Sequence, residues 1–144
     1  MDLADVNVYI YAHRRDAEHH EAYRRWLVDL LESDRAFGVS DLVLGAVVRI
    51  VTNPSIYARP TPLEEAIAYA DSIRGQENCV PIAPGPRHWE IFTRLCRDVG
   101  AKGGDVADAW FAALAIEHGC EWITADRGFA RFPGLRWRHP LKGR

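Results

Sequence analysis

Residues 103–126, GGDVADAWFAALAIEHGCEWITAD, decide the fold class because they combine a helical pattern with a strand pattern. The two glycines break the chain, and the alanine-rich run at 105–118 predicts a helix whose small side chains allow close packing against a sheet. The apolar run at 121–125 then predicts a short strand. The stretch therefore predicts a helix that leads directly into a strand.

Helices and strands alternate along the rest of the chain as well. Hydrophobic periodicity and Gly or Pro breaks predict strands at 3–12, 37–40, 80–83 and 135–138, and helices at 17–32, 41–52, 62–74 and 87–99. Such alternation predicts a parallel sheet with helices on both faces. We therefore expect the α/β class, with a three-layer α/β/α architecture, a central parallel sheet of four to five strands, and a single domain over residues 1–144.

The composition is that of an ordinary globular chain. The 144 residues are 48% hydrophobic and 26% charged, which excludes wholesale disorder. No apolar run approaches the roughly 20 residues of a membrane span, and the N-terminus lacks the basic and apolar pattern of a signal peptide. We therefore expect a cytoplasmic protein without a membrane partner. The three widely spaced cysteines predict free thiols rather than disulfides or a zinc site.

The charges are distributed unevenly along the chain. The net charge is −2, but residues 127–144 carry six basic and no acidic side chains. The first 126 residues hold the remaining 12 basic and all 20 acidic side chains. A basic C-terminal end is typical of a surface that binds a polyanion or an acidic protein segment, and equally of a solvated tail without a ligand.

Four aspartates fall at positions where a site is expected in an α/β sheet. Asp5 lies within the first apolar run, where an unpaired charge is costly. Asp105 and Asp108 are three residues apart at the start of a helix, and Asp126 follows a strand. Ligands of open α/β sheets bind outside the carboxyl ends of the strands, so these carboxylates are candidates for one site. Each also has a structural alternative, as a cap, a helix-dipole charge or a turn residue.

Several carboxylates from separate elements converge only around a positive charge. Because the ligands would all be oxygens, the expected cation is Mg²⁺ or Mn²⁺, which binds phosphates and supports in-line displacement at phosphorus. The six histidines show neither HExxH nor paired Cys/His spacing, which disfavours zinc. The sequence also lacks GxSxG, Walker and GxGxxG motifs.

Four segments resemble the motifs of the PIN domain family, specifically those of the VapC-type toxin ribonucleases of bacterial toxin–antitoxin modules. They span nearly the whole chain and are DVNVYI at 5–10, RIVTNP at 49–54, DAWFAALA at 108–115 and TADRGF at 124–129. They are similar to the family's D-x-N-x-L-I, R-x-x-T-x-P, D-A-x-x-A-A-x-A and T-x-D-x-x-F. Each motif alone is weak, but four in register are fairly specific.

The resemblance implies a Mg²⁺- or Mn²⁺-dependent endoribonuclease that hydrolyses RNA phosphodiester bonds. It assigns the catalytic, metal-holding carboxylates to Asp5, Asp108 and Asp126, and it gives Asn7 the role of holding the surroundings of Asp5 in place. It also implies a cognate antitoxin that blocks the site, for which we expect an amphipathic segment lying between helices. By the same resemblance we expect structured RNA such as tRNA as the substrate and a homodimer as the assembly.

The second predicted helix departs from the family pattern. The family usually has a Glu at about the position of Ala46, so Asp41 or Asp105 would have to complete the metal site. For Asp41, a favourable charge in the first helical turn is the structural alternative. Arg49 and Thr52, in the motif that ends this helix, are expected to support the helix rather than take part in the chemistry.

Two other function classes remain open from the residues. A PIN fold with an incomplete acid set would serve as an RNA- or protein-binding module, and the orientation of Asp41 and Asp105 relative to Asp5 discriminates between the two readings. A Mg²⁺-dependent phosphatase or phospho-receiver is disfavoured, since Asn7 stands where aspartyl-phosphate phosphatases have a second Asp.

Overall fold

The computed structural model describes residues 1–142 and is built around a parallel sheet. Within these residues, five strands lie in the order β3-β2-β1-β4-β5, and every neighbouring pair is parallel. The strands are β1 (Asp2–Ala4), β2 (Phe37–Val39), β3 (Cys79–Pro81), β4 (Glu121–Ile123) and β5 (Trp137–Arg138). β1 lies at the centre, where Leu3 pairs with Gly38 on one side and Trp122 on the other.

Helices cover the sheet in two groups. Across residues 1–142 they are α1 (Val6–His13), α2 (His20–Glu32), α3 (Asp41–Val51), α4 (Leu63–Arg74), α5 (His88–Val99) and α6 (Gly104–Glu117), with a 3₁₀ helix at Arg127–Arg131. α1 packs against α2 and α3, α3 packs against α4, and α5 packs against α6. The expected three-layer α/β/α architecture is confirmed. No helix in the described part of the chain is both long and apolar enough to cross a membrane.

The predicted strand at 3–12 is wrong beyond its first residues. β1 ends at Ala4, and Val6 begins α1, whose N-cap Asp5 accepts a hydrogen bond from the Val6 backbone N–H at 2.6 Å. The run VNVYIY is rich in residues that favour strands, but α1 is buried on several sides and needs apolar residues all round. Burial and the Asp5 cap therefore override the local β propensity.

The other predicted elements are confirmed, with ends that differ by a few residues. The largest difference is at α2, which begins at His20 rather than at residue 17. His19, directly before α2, has a left-handed φ of 60°, which is not a helical conformation.

The alanines of α6 allow this helix to lie close to the sheet. Ala109, Ala112 and Ala113 are fully buried, and Phe111 of α6 stacks on Trp122 of β4 with ring centroids 5.5 Å apart. Small side chains permit this close approach. The packing of α6 against β4 fixes the first turn of α6, and with it Asp108, relative to the sheet.

Candidate active site

A cavity of about 1100 Å³ lies at the carboxyl ends of the central strands. The chain runs from β1 outward to β2 and β3, and then returns to the other side of β1 to form β4 and β5. The strand order therefore reverses beside β1, and a crevice outside the strand ends at such a point is the usual ligand site of an α/β sheet. Asp5 after β1, Asp126 after β4 and Asp108 on α6 all line this cavity, which we call the acidic cavity.

The carboxylate of Asp5 is the most buried acid of the acidic cavity. The residue is 7% exposed, and its backbone N–H donates to the carbonyl of Ile123 at 2.8 Å, which fixes its position next to β4. Besides the cap to Val6, Asp5 Oδ2 accepts hydrogen bonds from Thr124 Oγ1 at 2.7 Å and from Asn7 Nδ2 at 3.3 Å. These donors hold both carboxylate oxygens in a defined orientation.

Burial raises the pKa of Asp5 to about 6. The hydrogen bonds from Thr124 and Val6 oppose this rise, while the negative charges of Asp108 and Asp126 add to it. The structure thus brings the three expected catalytic acids close enough for their charges to interact. A site that concentrates negative charge in this way favours a bound cation.

Thr124 connects Asp5 with Asp126. Its hydroxyl donates to Asp5 and accepts from the Asp126 backbone N–H at 3.0 Å and from Asn7 Nδ2 at 3.3 Å. Asn7 Oδ1 in turn accepts from the Ala125 backbone N–H at 3.2 Å, and this ties α1 to the end of β4. Asn7 therefore contacts both the Asp5 carboxylate and the end of β4. The sequence analysis did not predict that Thr124 links Asp5 to Asp126, although the T-x-D motif at 124–126 contains this residue.

Arg131 forms ion pairs with two of the predicted acids. One guanidinium nitrogen, Nη2, lies 3.0 Å from Asp105 Oδ1 and 3.0 Å from Asp108 Oδ2, and the other, Nη1, donates to the backbone carbonyl of Gly128. Asp105 does not line the acidic cavity. In the sequence, Arg131 is one of the six basic residues of the C-terminal end, and no motif there indicates its ion pairs with Asp105 and Asp108.

Asp41 lines the acidic cavity but is paired with a cation from another helix. Its carboxylate accepts from Arg74 at 2.7 and 3.3 Å, and its side chain is 70% exposed. Ala46, where the family has its Glu, lines the same cavity with a methyl group. The structure therefore brings Asp5, Asp108 and Asp126 into one cavity, whose lining also includes Asp41 in its ion pair with Arg74.

The two polar residues at the end of α3 differ in their surroundings. Thr52 Oγ1 donates to the Val48 carbonyl at 2.7 Å, which also accepts from the Thr52 backbone N–H at 3.3 Å, so Thr52 secures the end of α3. Arg49 is exposed and lines the acidic cavity, and its guanidinium makes no hydrogen bond or ion pair with the other described residues. The Arg49 guanidinium is therefore accessible to a ligand in the acidic cavity.

The walls of the acidic cavity are largely apolar. They include Leu42, Phe92, Val106 and Phe111, contributed by α3, α5 and α6. Within residues 1–142, no three Asp, Glu, His or Cys side chains are already arranged as the ligands of one metal ion. The acids share a cavity and interact through their charges, and a cation would draw them closer.

Comparison with known proteins agrees with the sequence motifs. The family model described as "PIN domain" matches residues 3–135. The chain belongs to the VapC group of the PIN domain family. It is 45% identical to "Ribonuclease VapC43" of Mycobacterium tuberculosis over 99% of this chain and 97% of the relative. It is 39% identical to "Ribonuclease VapC25" of the same organism over 97% and 99%.

Solved structures of this group share the fold. VapBC2 from Rickettsia felis, bound to a DNA fragment from its promoter, gives a TM-score of 0.67 at 18% identity, covering 94% of this chain and 96% of that one. VapC20 of Mycobacterium tuberculosis, described as a sarcin-ricin loop cleaving toxin, gives a TM-score of 0.63 at 16% identity, covering 94% and 99%. At these identities the likeness establishes the PIN fold of this chain.

The raised pKa of Asp5 predicts a pH-dependent stability. The pKa is about 6 in the folded chain against an ordinary 3.8, so the protonated form stabilises the fold below pH 3.8 and this contribution is lost as the pH rises through 6. At about 1.4 kcal/mol per pK unit, ionisation of Asp5 in the folded chain lowers the free energy of unfolding by at most about 3 kcal/mol. Since the amide reproduces only part of the hydrogen bonding, we expect Asp5→Asn to raise the free energy of unfolding at pH 7.5 by about 1–2 kcal/mol, and by less at pH 4.5.

Urea denaturation at the two pH values measures this effect. Asp29→Asn is the matched control, because Asp29 is exposed on α2 and does not line the acidic cavity. A lower stability of Asp5→Asn at pH 7.5 would show that the carboxylate's hydrogen bonds outweigh its burial.

Proposed function

We propose that this chain is a divalent-metal-dependent endoribonuclease and the toxin of a toxin–antitoxin pair. The observation that carries the proposal is the convergence of Asp5, Asp108 and Asp126 in one cavity at the point where the strand order reverses. The names of the relatives support it, since VapC43 and VapC25 are called ribonucleases. The proposed RNA substrate would place the activity in the cytoplasm, as expected from the sequence.

The donor set fits a hard divalent cation. Every candidate ligand is a carboxylate, and the charges of Asp108 and Asp126 already disfavour ionisation of Asp5, so a cation would relieve the repulsion. Asp5, Asp108 and Asp126 would hold Mg²⁺ or Mn²⁺. Such an ion, when bound, activates water as a nucleophile and stabilises the charge that develops on the leaving oxygen.

The chain's own residues orient and shield the reacting groups. Thr124 and Asn7 fix the Asp5 carboxylate, so that its orientation does not depend on the substrate. Arg49, which is exposed and lines the acidic cavity, would contact a phosphate of the bound RNA. The apolar walls beside these charges lower the local dielectric and thereby strengthen their interactions with the substrate.

The methyl group of Ala46 makes the metal site weaker than a four-carboxylate site would be. Two aspartates could replace the missing Glu side chain. Of these, Asp41 lines the acidic cavity, and it would have to leave Arg74 to reach a metal ion. Asp105 is the other, and it would have to leave Arg131. We therefore propose a single principal metal site, built on Asp5, Asp108 and Asp126.

The partners follow from the same assignment. Two of the structural neighbours are described as toxin–antitoxin and VapBC complexes, one from Klebsiella pneumoniae and one, with DNA bound, from Salmonella typhimurium. We propose a cognate antitoxin whose amphipathic segment covers the apolar walls of the acidic cavity. A homodimer and a structured RNA substrate such as tRNA remain our proposals for the assembly and the target.

A non-cleaving RNA- or protein-binding module is the second candidate. The observations that favour it are Ala46 at the Glu position and the two ion pairs that engage Asp41 and Asp105. Such a module would bind a partner without hydrolysing RNA, so a cleavage assay separates it from the nuclease.

The nuclease proposal predicts that Asp5→Asn and Asp108→Asn each reduce RNA cleavage by about a hundredfold or more, because each removes a charge that holds the cation. The measurement is the cleavage of purified tRNA at matched protein and Mn²⁺ concentrations. Asp29→Asn serves as the control with one exposed carboxylate removed. Cleavage by Asp5→Asn at the control's rate would refute the assignment.

The position of Arg131 predicts an effect on metal affinity, which can be measured without an assay of RNA cleavage. Its guanidinium lies against Asp108 and repels a cation at the same carboxylate. We expect Arg131→Gln to bind Mn²⁺ about fivefold more tightly, as removal of a nearby like charge in a partly solvated site allows. Calorimetric titration of Mn²⁺ measures this, with Arg94→Gln on the exposed side of α5 as the control. Weaker binding would instead show that Arg131 positions Asp108 for the ion.

A further inference from the structure

A second cavity, of about 740 Å³, has two residues of the 3₁₀ helix in its wall. Asp126 lines the acidic cavity and Arg127, the next residue, lines the second one. The rest of the wall comes from Ala130 of the 3₁₀ helix, from Glu121 of β4, and from β5 and the turn after it, including Trp137, His139 and Lys142. We call this the basic cavity.

One cation that lines the basic cavity, Arg138, is neutralised by acidic side chains of the protein itself. The Arg138 guanidinium is 12% exposed and lies 3.2 Å from both Asp2 Oδ2 and Glu121 Oε1. This buried cluster joins β5 to β1 and β4 and leaves Arg138 with two acidic partners. Arg138 therefore has a structural role, and the charge that a ligand meets comes from other residues.

Arg127 and Lys142 supply that charge. Both are exposed, and neither forms an ion pair with the other described residues. The turn after β5 brings Lys142 back over the cavity, because the Lys142 backbone N–H donates to the His139 carbonyl at 3.3 Å and the Leu141 N–H donates to His139 Nδ1 at 3.1 Å. Burial lowers the pKa of His139, and the charges of Lys142 and Arg127 lower it further, which agrees with two cations that converge on this ring.

We infer that the basic cavity binds a phosphodiester segment of single-stranded RNA that flanks the cleaved bond. Arg127 and Lys142 contact successive phosphates, and the half-buried ring of Trp137 offers a face for a base. The inference rests on the proposed function, and it names a second contact region for the same substrate.

The position of the basic cavity favours RNA over an acidic protein segment. A strand whose scissile phosphate lies among Asp5, Asp108 and Asp126 must continue over the surface, and the residue after Asp126 is the first cation of the basic cavity. Two cations beside an aromatic ring match the alternation of phosphate and base in a single strand. An acidic peptide would use the cations but would leave the aromatic face without a matching group.

The test compares the salt dependence of RNA binding in two double variants. Arg127→Ala/Lys142→Ala removes both cations of the basic cavity. Arg94→Ala/Arg97→Ala removes two exposed cations of α5 that line neither cavity. The probe is a fluorescein-labelled single-stranded RNA of about 20 nucleotides, longer than a small domain covers. Anisotropy is measured across a range of KCl concentrations with EDTA present, which prevents metal-dependent cleavage.

We expect the Arg127/Lys142 variant to bind this RNA about tenfold more weakly than the wild type, and the α5 variant to bind it like the wild type. The slope of log K against log salt should fall in magnitude by about 1.4, since each lost phosphate contact removes about 0.7 for a single strand. Circular dichroism of both variants checks that the fold is retained.

Three outcomes would overturn the inference. RNA binding by the Arg127/Lys142 variant with an unchanged slope contradicts the basic cavity as an RNA site and leaves the nuclease proposal standing. If the Arg127/Lys142 variant binds a labelled polyglutamate peptide more weakly than the wild type does, but binds RNA equally well, the cavity is instead a site for an acidic protein segment. An unaltered chain that does not bind RNA at all in EDTA contradicts the inference, while the cleavage assay with Mn²⁺ tests the proposed function separately.

Discussion

The carboxylate of Asp5 is held out of water at the centre of the sheet edge, and the arrangement around it depends on that constraint. A buried carboxylate is tolerated only with donors or a cation nearby. The chain supplies three donors, namely the Val6 backbone N–H and the Asn7 amide in the first turn of α1, and the Thr124 hydroxyl at the end of β4. The same contacts join β1, α1 and the end of β4. The proposed binding position for a cation and the local rigidity of the fold thus have one origin.

The helices bring the other charges to this point by packing. α6 lies close to β4 because its inner face is made of alanines, and Asp108, one turn into the helix, is near enough to Asp5 for their charges to interact. Asp126 follows β4 directly, and its carboxylate Oδ1 accepts from the Gly128 backbone N–H at 2.8 Å to start the 3₁₀ helix. That helix carries Arg131 toward the acids and Arg127 toward the basic cavity. One short segment therefore separates two regions of opposite charge.

The sequence indicates the positions of the acids well, because the ends of strands and helices carry recognisable signals. It fails at α1, where six residues typical of a strand form a buried helix. The cause is tertiary burial, which a local pattern does not contain. The ion pairs of Asp41 with Arg74 and of Asp108 with Arg131 join residues 33 and 23 positions apart. Such pairs depend on how helices pack, so no spacing in the sequence reveals them.

The central claim is that Asp5, Asp108 and Asp126 together hold one divalent cation. Anomalous diffraction from crystals of the full chain grown with Mn²⁺ tests it most directly. We expect one strong anomalous peak in the acidic cavity, bounded by these three carboxylates, and its loss in crystals of Asp5→Asn. A Mn²⁺ peak on other residues, or an unchanged peak in Asp5→Asn, would contradict it.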